Sequence, residues 1–490
     1  MQGLTRRSLL TGLAVGAVAS GAMAEAPLIS AVPPLRLGGQ AGPASAALGA
    51  EKALIAAAGL TGEVAFVLAD LKSGAILAER QPGHLMPPAS TAKTVTSLYA
   101  LDRLGPDFRF QTRIMATGPV RNGKVQGDLL LVGGGDPTLS TDDLGDLVAT
   151  LAALGVRSVS GGFHVWSGAL PYLASIDPAQ PVWAGYDPAV SGLNLNFNRV
   201  NLTWERTAGG YQLGFDARAE RFAPPVSMEQ IKVVARETPL FTYQAGRAGE
   251  IWTVAEAALG KAGSRWLPVR QPDLYAGDVL RTLAAGQGIG LPEPEGTDRL
   301  PEGTTLARHL SAPLTGVLRA MMKYSTNLTA EVTGMMASGA AGTDGHALSA
   351  RAMSAWLEAQ IGAVQGRFVD HSGLGATSRI CAEEMVRVLG TLGPQAGLPG
   401  LMKEVRFGKA KADVAVPRRV VAKSGTLNFV SGLVGYLTTA DGAERVFAIY
   451  AADMARHDAV SPDQMENPPG LSGWIRRARR LQLELLQSWA

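Results

Sequence analysis

The chain has 490 residues, with 45 Lys and Arg against 42 Asp and Glu and a formal net charge of +3. This length exceeds what one hydrophobic core serves and predicts two or three domains, while the near-neutral charge argues against a nucleic-acid partner. Because Cys381 is the only cysteine, an internal disulfide is excluded, and we interpret this residue as a small buried hydrophobe.

Residues 1–24 have the pattern of an export signal peptide. Arg6 and Arg7 precede an apolar run that reaches Ala19, and Ala22-Met23-Ala24 supplies the small residues of a cleavage site. The paired arginines indicate the twin-arginine route, and no later stretch approaches about 18 unbroken apolar residues. We therefore predict a periplasmic protein of a bacterium.

The segment after the leader contains helix and strand patterns. A helix is expected over 47–57, and Lys72-Ser73-Gly74 between two apolar runs indicates a hairpin turn. A second helix is expected from Ser90 to Leu104, because Pro87-Pro88 favours a helix start and Gly105-Pro106 ends it.

From Phe108 to residue 297 the pattern is mainly that of strands. Gly133-Gly134-Gly135 follows a strand but lacks the spacing of a dinucleotide-binding loop, so it is interpreted as a tight turn and no cofactor is expected. Strict alternation over 193–198 predicts an extended segment with Asn194, Asn196 and Asn198 on one face. Their amides either contact a peptide or glycan or bond the local backbone.

Helical periodicity returns near Leu300 and leads through 313–324 into Ser325. Strand-like runs at 420–434 and 446–450 then supply a core sheet. We therefore predict an α/β (α+β) domain built from residues 25–107 and 298–490, with residues 108–297 looped out as a β-rich insertion of one or more domains.

The C-terminal stretch has an amphipathic helical pattern. Its apolar stripe consists of Trp474, Ile475, Ala478, Leu481, Leu485 and Trp489, and its arginines lie largely elsewhere. Packing onto the protein's own sheet is the favoured interpretation, and peripheral docking on an anionic membrane surface is the alternative.

Three short elements occur in one order and together indicate a reactive serine: Ser90-Thr91-Ala92-Lys93, Ser325-Thr326-Asn327 and Lys423-Ser424-Gly425-Thr426. At a helix start, Lys93 lies at i+3 from Ser90, so its amine can act as the base that a serine nucleophile requires. The helix N-terminus also points the Ser90 N–H toward a developing oxyanion. Burial beside Lys423 is expected to lower the pKa of Lys93, while Lys423 stays charged and attracts a carboxylate.

These elements resemble the Ser-x-x-Lys, Ser-x-Asn and Lys-Thr-Gly signature of the serine-active penicillin-recognising enzymes. More than two hundred residues separate Ser90 from Ser325, and such an insertion resembles the class C low-molecular-mass penicillin-binding proteins, which are D-alanyl-D-alanine carboxypeptidases and endopeptidases. Stretches 88–91, 131–138, 321–325 and 370–374 are also similar to that family. Two residues depart from it: Ser424 replaces the usual Thr but keeps a hydroxyl, and His371 stands where the family usually has Gly.

The resemblance implies a serine β-lactamase/transpeptidase-like domain that cleaves peptidoglycan stem peptides through a Ser90 acyl-enzyme and is acylated by β-lactam antibiotics. It implies that Lys93 is the base, that Ser325 relays the proton, and that Asn327 holds the substrate amide or orients Lys93. The implied substrate-binding set is Lys423, Ser424, Gly425 and Thr426. In this set, Lys423 and the two hydroxyls bind the terminal carboxylate, and the Thr426 N–H completes an oxyanion hole with that of Ser90.

Other functions fit the residues less well. A class A β-lactamase would use a Glu-x-x-x-Asn loop, which the sequence lacks, and a non-catalytic cell-wall scaffold would not require three intact elements. The six histidines show no metal-ligand spacing, so no metal is expected. Asp370-His371-Ser372-Gly373 only partly imitates the nucleophile turn of a Ser-His-Asp hydrolase. The balance between carboxypeptidase and endopeptidase activity stays open at this stage.

Overall fold

The computed structural model describes residues 44–246, 249–339, 345–407 and 416–490. The export signal expected over 1–24 lies outside these residues. Within the described ranges, no helix combines the length and the apolar character needed to cross a membrane.

Helices and strands are interspersed along the described chain. The helices are α1 (Ala44–Ala58), α2 (Ala92–Leu104), α3 (Thr141–Ala153), α4 (Pro272–Gly286), α5 (Leu314–Tyr324), α6 (Asn327–Ala337), α7 (His346–Ile361), α8 (Ala382–Leu392), α9 (Met454–Asp458) and α10 (Leu471–Ser488). The strands are β1 (Glu63–Asp70), β2 (Ile76–Arg80), β3 (Gln111–Ala116), β4 (Val120–Arg121), β5 (Lys124–Val125), β6 (Leu129–Gly133), β7 (Ser158–Val159), β8 (Phe163–Trp166), β9 (Arg199–Thr207), β10 (Gly210–Asp216), β11 (Glu229–Val234), β12 (Phe241–Gly246), β13 (Gly249–Ala255), β14 (Ala262–Pro268), β15 (Pro294–Gly296), β16 (Thr304–Leu310), β17 (Lys403–Glu404), β18 (Arg419–Leu427), β19 (Val430–Thr438) and β20 (Glu444–Ala452).

The largest sheet joins the two ends of the chain. Its strand order is β17-β18-β19-β20-β1-β2, and its pairings are antiparallel. Central β19 is buried along nearly its whole length because helices cover both faces of the sheet, which explains its mainly apolar sequence. The predicted α/β domain assembled from two chain segments is confirmed, and so is the hairpin at Lys72, which joins β1 to β2.

Helices α1 and α10 cover one face of this sheet. Trp474 and Leu485 of α10 are fully buried in a cluster with Phe447 of β20, so the predicted packing of the C-terminal stripe onto the sheet is confirmed. The arginines on the outer side of α10 are exposed: Arg476, Arg477, Arg479 and Arg480. Helices α2 and α8 belong to the core on the opposite face, where Val95 and Leu98 are fully buried. Cys381 is buried at the start of α8, as predicted.

The insertion forms a second core. A five-stranded sheet in the order β15-β8-β6-β3-β16 packs with α3 and α4, and two three-stranded sheets, β10-β9-β14 and β11-β13-β12, extend it. Trp252 and Tyr275 are fully buried in this core.

The structure differs from the sequence prediction at the end of the insertion. The residues expected to be helical near Leu300 lead into strand β16, which pairs with β3 so that Arg308 lies opposite Arg113. Ala307 contributes to the core of the insertion, because non-local strand pairing overrides the local periodicity. We therefore propose that the insertion ends with β16, at Leu310, and not at residue 297.

The prediction of an extended amide row at 193–198 is wrong. Asn196, Phe197 and Asn198 have φ of 50°, 59° and 51°, the left-handed region, so the segment curls into a buried loop. The Asn194 amide donates to the Ser191 carbonyl at 2.7 Å and the Asn198 amide to the Ala189 carbonyl at 2.9 Å. Bonding to the local backbone, the alternative interpretation, is what the structure shows.

Candidate active site

Ser90 lies in a single 3-10 turn, Ala89–Thr91, directly before α2. The sequence predicted that Ser90 itself opens the α-helix, whereas the α-helical hydrogen bonding begins at Ala92. The tighter turn brings positions i and i+3 into register, so that Lys93 Nζ lies 3.0 Å from Ser90 Oγ.

Lys93 is fully buried, and its ammonium group has three hydrogen-bond acceptors. It donates to Ser90 Oγ, to Asn327 Oδ1 at 2.8 Å and to the Ser372 carbonyl at 2.7 Å. Burial lowers the pKa of Lys93 to about 8, and the charges of Glu331 and Asp370 oppose this shift. The pKa of Lys93 is therefore low, as expected, and burial is the main cause of the shift.

Ser325 and Asn327 lie at the junction of α5 and α6. Ser325 ends α5 in the left-handed region, with φ of 60°, and its Oγ accepts a hydrogen bond from Lys423 Nζ at 2.9 Å. Asn327 starts α6 and uses both ends of its amide, since Oδ1 accepts from Lys93 and Nδ2 donates to the Tyr186 carbonyl of the insertion at 2.8 Å. The junction thus connects both lysines and the inserted domain.

The third element lies on β18, where residues alternate between the two faces of the sheet. Lys423 is buried, and Ser424 and Thr426 are exposed. A Cβ atom on Gly425 would lie 2.7 Å from the Pro88 carbonyl oxygen and 3.0 Å from Ser90 N, so only glycine lets the strand approach the Ser90 turn this closely.

Lys423 departs from one expectation. Burial, followed by the charges of Lys93 and Lys403, holds the pKa of Lys423 well below its usual value, so the free site disfavours the positive charge that was expected of it. A bound carboxylate would reverse this shift, because an opposite charge favours the ammonium form.

Two cavities meet at Ser325. One, of about 450 Å³, is lined by Ser90, Asn327 and Thr426 together with residues of the insertion that include Tyr186. The other, of about 570 Å³, is lined by Lys423 and Ser424 and extends toward β17. The structure therefore brings all three sequence elements to one cleft, with Lys93 beneath its floor.

Sequence reasoning missed several contributors to the site. The carbonyls of Ser372 and Tyr186 hold Lys93 and Asn327, but a backbone carbonyl leaves no signature in a sequence. Arg479 of α10 donates to Thr426 Oγ1 at 3.3 Å, which the arginine cluster alone did not indicate. Ser372 is buried and its Oγ accepts from Leu374 N, which agrees with the only partial likeness of residues 370–373 to a nucleophile turn.

The fold and the lysine-paired serine define a serine-active enzyme of the penicillin-recognising class. Residues 51–468 match the D-Ala-D-Ala carboxypeptidase 3 (S13) family, and the chain belongs to this family.

Similar proteins agree with this assignment. The chain is 28% identical over 439 residues to a D-alanyl-D-alanine carboxypeptidase of Actinomadura sp. strain R39, covering 81% of this chain and 80% of that protein. It is 24% identical over 430 residues to the D-alanyl-D-alanine carboxypeptidase DacB of Haemophilus influenzae, covering 81% and 87%. The crystal structure of penicillin-binding protein 4 (dacB) from Haemophilus influenzae has the same fold, with a TM-score of 0.70 at 20% identity, covering 91% of this chain and 100% of that one. The predicted class C low-molecular-mass penicillin-binding protein, a serine-type D-alanyl-D-alanine carboxypeptidase, is confirmed.

Proposed function

We propose that this enzyme removes the terminal D-alanine of peptidoglycan stem peptides through an acyl-enzyme on Ser90. The observation that carries the proposal is the 3.0 Å distance between Lys93 Nζ and Ser90 Oγ, in a fully buried lysine whose pKa is lowered to about 8. The neutral amine of Lys93 accepts the hydroxyl proton of Ser90 while Oγ bonds to the carbonyl carbon between the two D-alanines.

The backbone supplies the oxyanion hole in this proposal. The close approach of β18 at Gly425 to Ser90 N supports placing the N–H groups of Ser90 and Thr426 on either side of the developing oxyanion. The C–N bond then breaks, the leaving amine takes a proton through the Ser325 hydroxyl, and D-alanine departs. Water attacks the Ser90 ester, which frees the shortened peptide and restores the hydroxyl.

Lys423 recognises the terminal carboxylate of the substrate. Its contact with Ser325 Oγ at 2.9 Å places the relay hydroxyl and the carboxylate site side by side, with the Ser424 and Thr426 hydroxyls on the same strand. A bound carboxylate favours the ammonium form of Lys423, so substrate binding and proton relay are electrostatically linked.

The proposal is tested by incubating the purified protein with fluorescent penicillin beside a Ser90→Ala variant, and by measuring D-alanine release from a stem pentapeptide. We expect covalent labelling and D-alanine release from the parent and neither from the variant. A label that persists in Ser90→Ala would assign the acyl-enzyme to another residue, and an unlabelled parent would leave the scaffold alternative standing.

We further propose that the enzyme cuts peptide cross-links as an endopeptidase. The cavity beyond Lys423 and Ser424 has about 570 Å³, a volume typical of sites for ligands much larger than one alanine. Lys403 and Arg406 line it with exposed cationic side chains, which suit the carboxylates of a second stem peptide. Mass spectrometry of digested cross-linked muropeptides tests this step: cleaved dimers are expected, and free D-alanine alone would exclude it.

We also propose that the protein acts in the periplasm after export by the twin-arginine route, as Arg6 and Arg7 indicate. Replacing both arginines by lysine should retain the protein in the cytoplasm, as cell fractionation would show. Periplasmic recovery of that variant at the parent level would point to another export route.

A further inference from the structure

Glu331 is a fully buried carboxylate whose charge acts on Lys93. It is on α6, four residues after Asn327, and has no exposed surface. Oε1 accepts from the backbone N–H of Ser372 at 2.8 Å, and Oε2 accepts from that of His371 at 3.0 Å. His346 Nε2 of α7 lies 2.6 Å from Oε2 and completes the coordination of this carboxylate.

The turn formed by residues 370–373, which Glu331 holds, is the same turn that touches Lys93. The Ser372 carbonyl accepts from Lys93 Nζ at 2.7 Å, the shortest of the three contacts made by that amine. On the preceding peptide unit, the His371 carbonyl accepts from Thr96 Oγ1 of α2 at 2.6 Å. The turn is therefore fixed between α6 and α2, with its N–H groups toward Glu331 and its carbonyls toward the helix that carries Lys93.

His371, which replaces the usual glycine, fits into this turn because α6 leaves room for it. A Cβ atom on Gly334 would lie 2.2 Å from the His371 ring, and Ser349 Oγ lies 2.7 Å from its Nε2. The turn consequently keeps its hydrogen bonds to Glu331 despite the larger side chain.

The titratable groups next to Glu331 shift one another's pKa values. Burial alone would raise the pKa of Glu331, but the His346 imidazole and the further partners His371 and Ser372 hold it below its usual value. Burial lowers the pKa of His371 to about 4, and burial, followed by the charge of Glu331, raises that of Asp370. Burial lowers the pKa of His346, but the charge and hydrogen bond of Glu331 outweigh this effect and raise it. The charge of Lys93 also acts on Lys423.

We propose that Glu331 is a positioning residue for the general base: it clamps the 370–373 turn so that the Ser372 carbonyl keeps the Lys93 amine against Ser90. This inference rests on the proposed acylation of Ser90. Glu331 itself touches neither Ser90 nor the cavity that Ser90 lines.

The test is Glu331→Gln, assayed by the second-order rate constant of acylation by fluorescent penicillin between about pH 5 and pH 10. Loss of the negative charge makes the Lys93 ammonium less favourable, so the acid limb of the profile should move down by about one pH unit. Loss of one backbone acceptor should also reduce the limiting rate at least about tenfold, because the base is no longer held in place. An unshifted limb with a parent limiting rate would overturn the inference.

Glu384→Gln is the matched control. Glu384 is also a buried carboxylate that accepts backbone N–H groups, among them Gly366 N at 3.2 Å, but it holds the start of α8 instead of the turn at Lys93. This variant should lose thermal stability without moving the acid limb. A shift as large as that in Glu331→Gln would mean that the limb reports general destabilisation, and it would overturn the inference.

Glu331→Asp separates charge from geometry and serves if Glu331→Gln does not fold. The shorter carboxylate keeps its charge but cannot span both N–H groups, so the limb should stay in place while the limiting rate falls; a parent limiting rate would contradict the clamp. If neither variant folds, His346→Gln removes the imidazole whose pKa Glu331 raises, and it should move the limb to higher pH; an unmoved limb would contradict the charge effect. If fluorescent penicillin labels the parent but not Ser90→Ala while the Glu331 variants keep the parent pH profile and limiting rate, that outcome would refute only this inference and leave the proposed function intact.

Discussion

At the scale of single residues, the site depends on one lysine that the fold makes difficult to protonate. Lys93 has no exposed surface and donates to three acceptors, one from each of three chain segments. Burial of an ammonium group is unfavourable, and the resulting pKa of about 8 leaves a usable fraction of neutral amine near neutral pH.

Lys93→Ala should lower the acylation rate about 10²- to 10⁴-fold, the usual range for loss of a general base, while circular dichroism shows a folded protein. In the parent, the rate should rise with pH through about 8, since only the neutral amine accepts the proton. Lys72→Ala is the control. Lys72 belongs to the other Lys-Ser-Gly sequence of the chain, which lies in the exposed turn between β1 and β2 and not at the cleft. Acylation of Lys93→Ala at the parent rate would remove Lys93 from the base role.

Lys423→Ala should mainly weaken recognition of the terminal carboxylate. A charge-assisted hydrogen bond of about 1.5 to 3 kcal/mol corresponds to roughly a 10- to 100-fold loss in kcat/KM for a peptide with a free C-terminal carboxylate. A C-terminally amidated peptide should distinguish the variant from the parent far less. Equal losses for both peptides would show that Lys423 acts on something other than the carboxylate.

At the scale of elements, the site depends on how closely β18 lies against the Ser90 turn. The missing side chain at Gly425 allows that contact, and the left-handed Ser325 ends α5 so that α6 can start at Asn327 and present its amide to Lys93. The distances between the three sequence motifs in the fold therefore depend on Gly425 and on the junction between α5 and α6.

Gly425→Ala should push β18 away from Ser90 and slow acylation at least about tenfold, because the Thr426 N–H then misses the oxyanion. Gly214→Ala is the matched control on a strand of the insertion, where a Cβ atom meets only Thr203 Oγ1 at 3.9 Å. Acylation rates and thermal unfolding of both variants would be compared. A Gly425→Ala enzyme as fast as the parent would rule out this account of the strand contact.

At the scale of the whole molecule, the insertion contributes to the cleft and does more than extend the surface. The Tyr186 carbonyl bonds the Asn327 amide, and Arg265 of the insertion forms an ion pair with Glu466 of the catalytic domain. The cavity on the opposite side of Ser325 is lined by the catalytic domain alone, at β17 and β18. In the proposed endopeptidase reaction, the two halves of a cross-linked substrate would therefore contact different parts of the protein.

Lys403→Ala should reduce cleavage of cross-linked muropeptides about tenfold while D-alanine release from a monomeric pentapeptide stays near the parent rate. The side chain of Lys403 is exposed, so its removal should leave the fold intact, and only the larger ligand reaches it. Lys124→Ala, an exposed lysine on β5, is the control. Equal effects on dimer and monomer would contradict a leaving-peptide site at β17.

Local patterns predicted much of the fold because they depend on neighbours along the chain. The helices that begin at Ala44 and Leu314 and the apolar strands β18 to β20 follow from periodicity and turn residues. Strand β16 and the curled loop at Asn196 were mispredicted, because their conformation depends on β3 and on Thr141, which are distant in sequence.

By itself, the sequence determined the class of enzyme and the eight residues proposed for its site, since side-chain chemistry in a fixed order can be read from residue identities alone. Only the tertiary structure decided that Lys93 is fully buried, that carbonyls of Ser372 and Tyr186 hold the Lys93 and Asn327 side chains, and that Glu331 bonds the turn at Ser372. The physical reason is that burial and backbone hydrogen bonds depend on segments that meet only when the chain is folded, and burial is what lowers the pKa of Lys93.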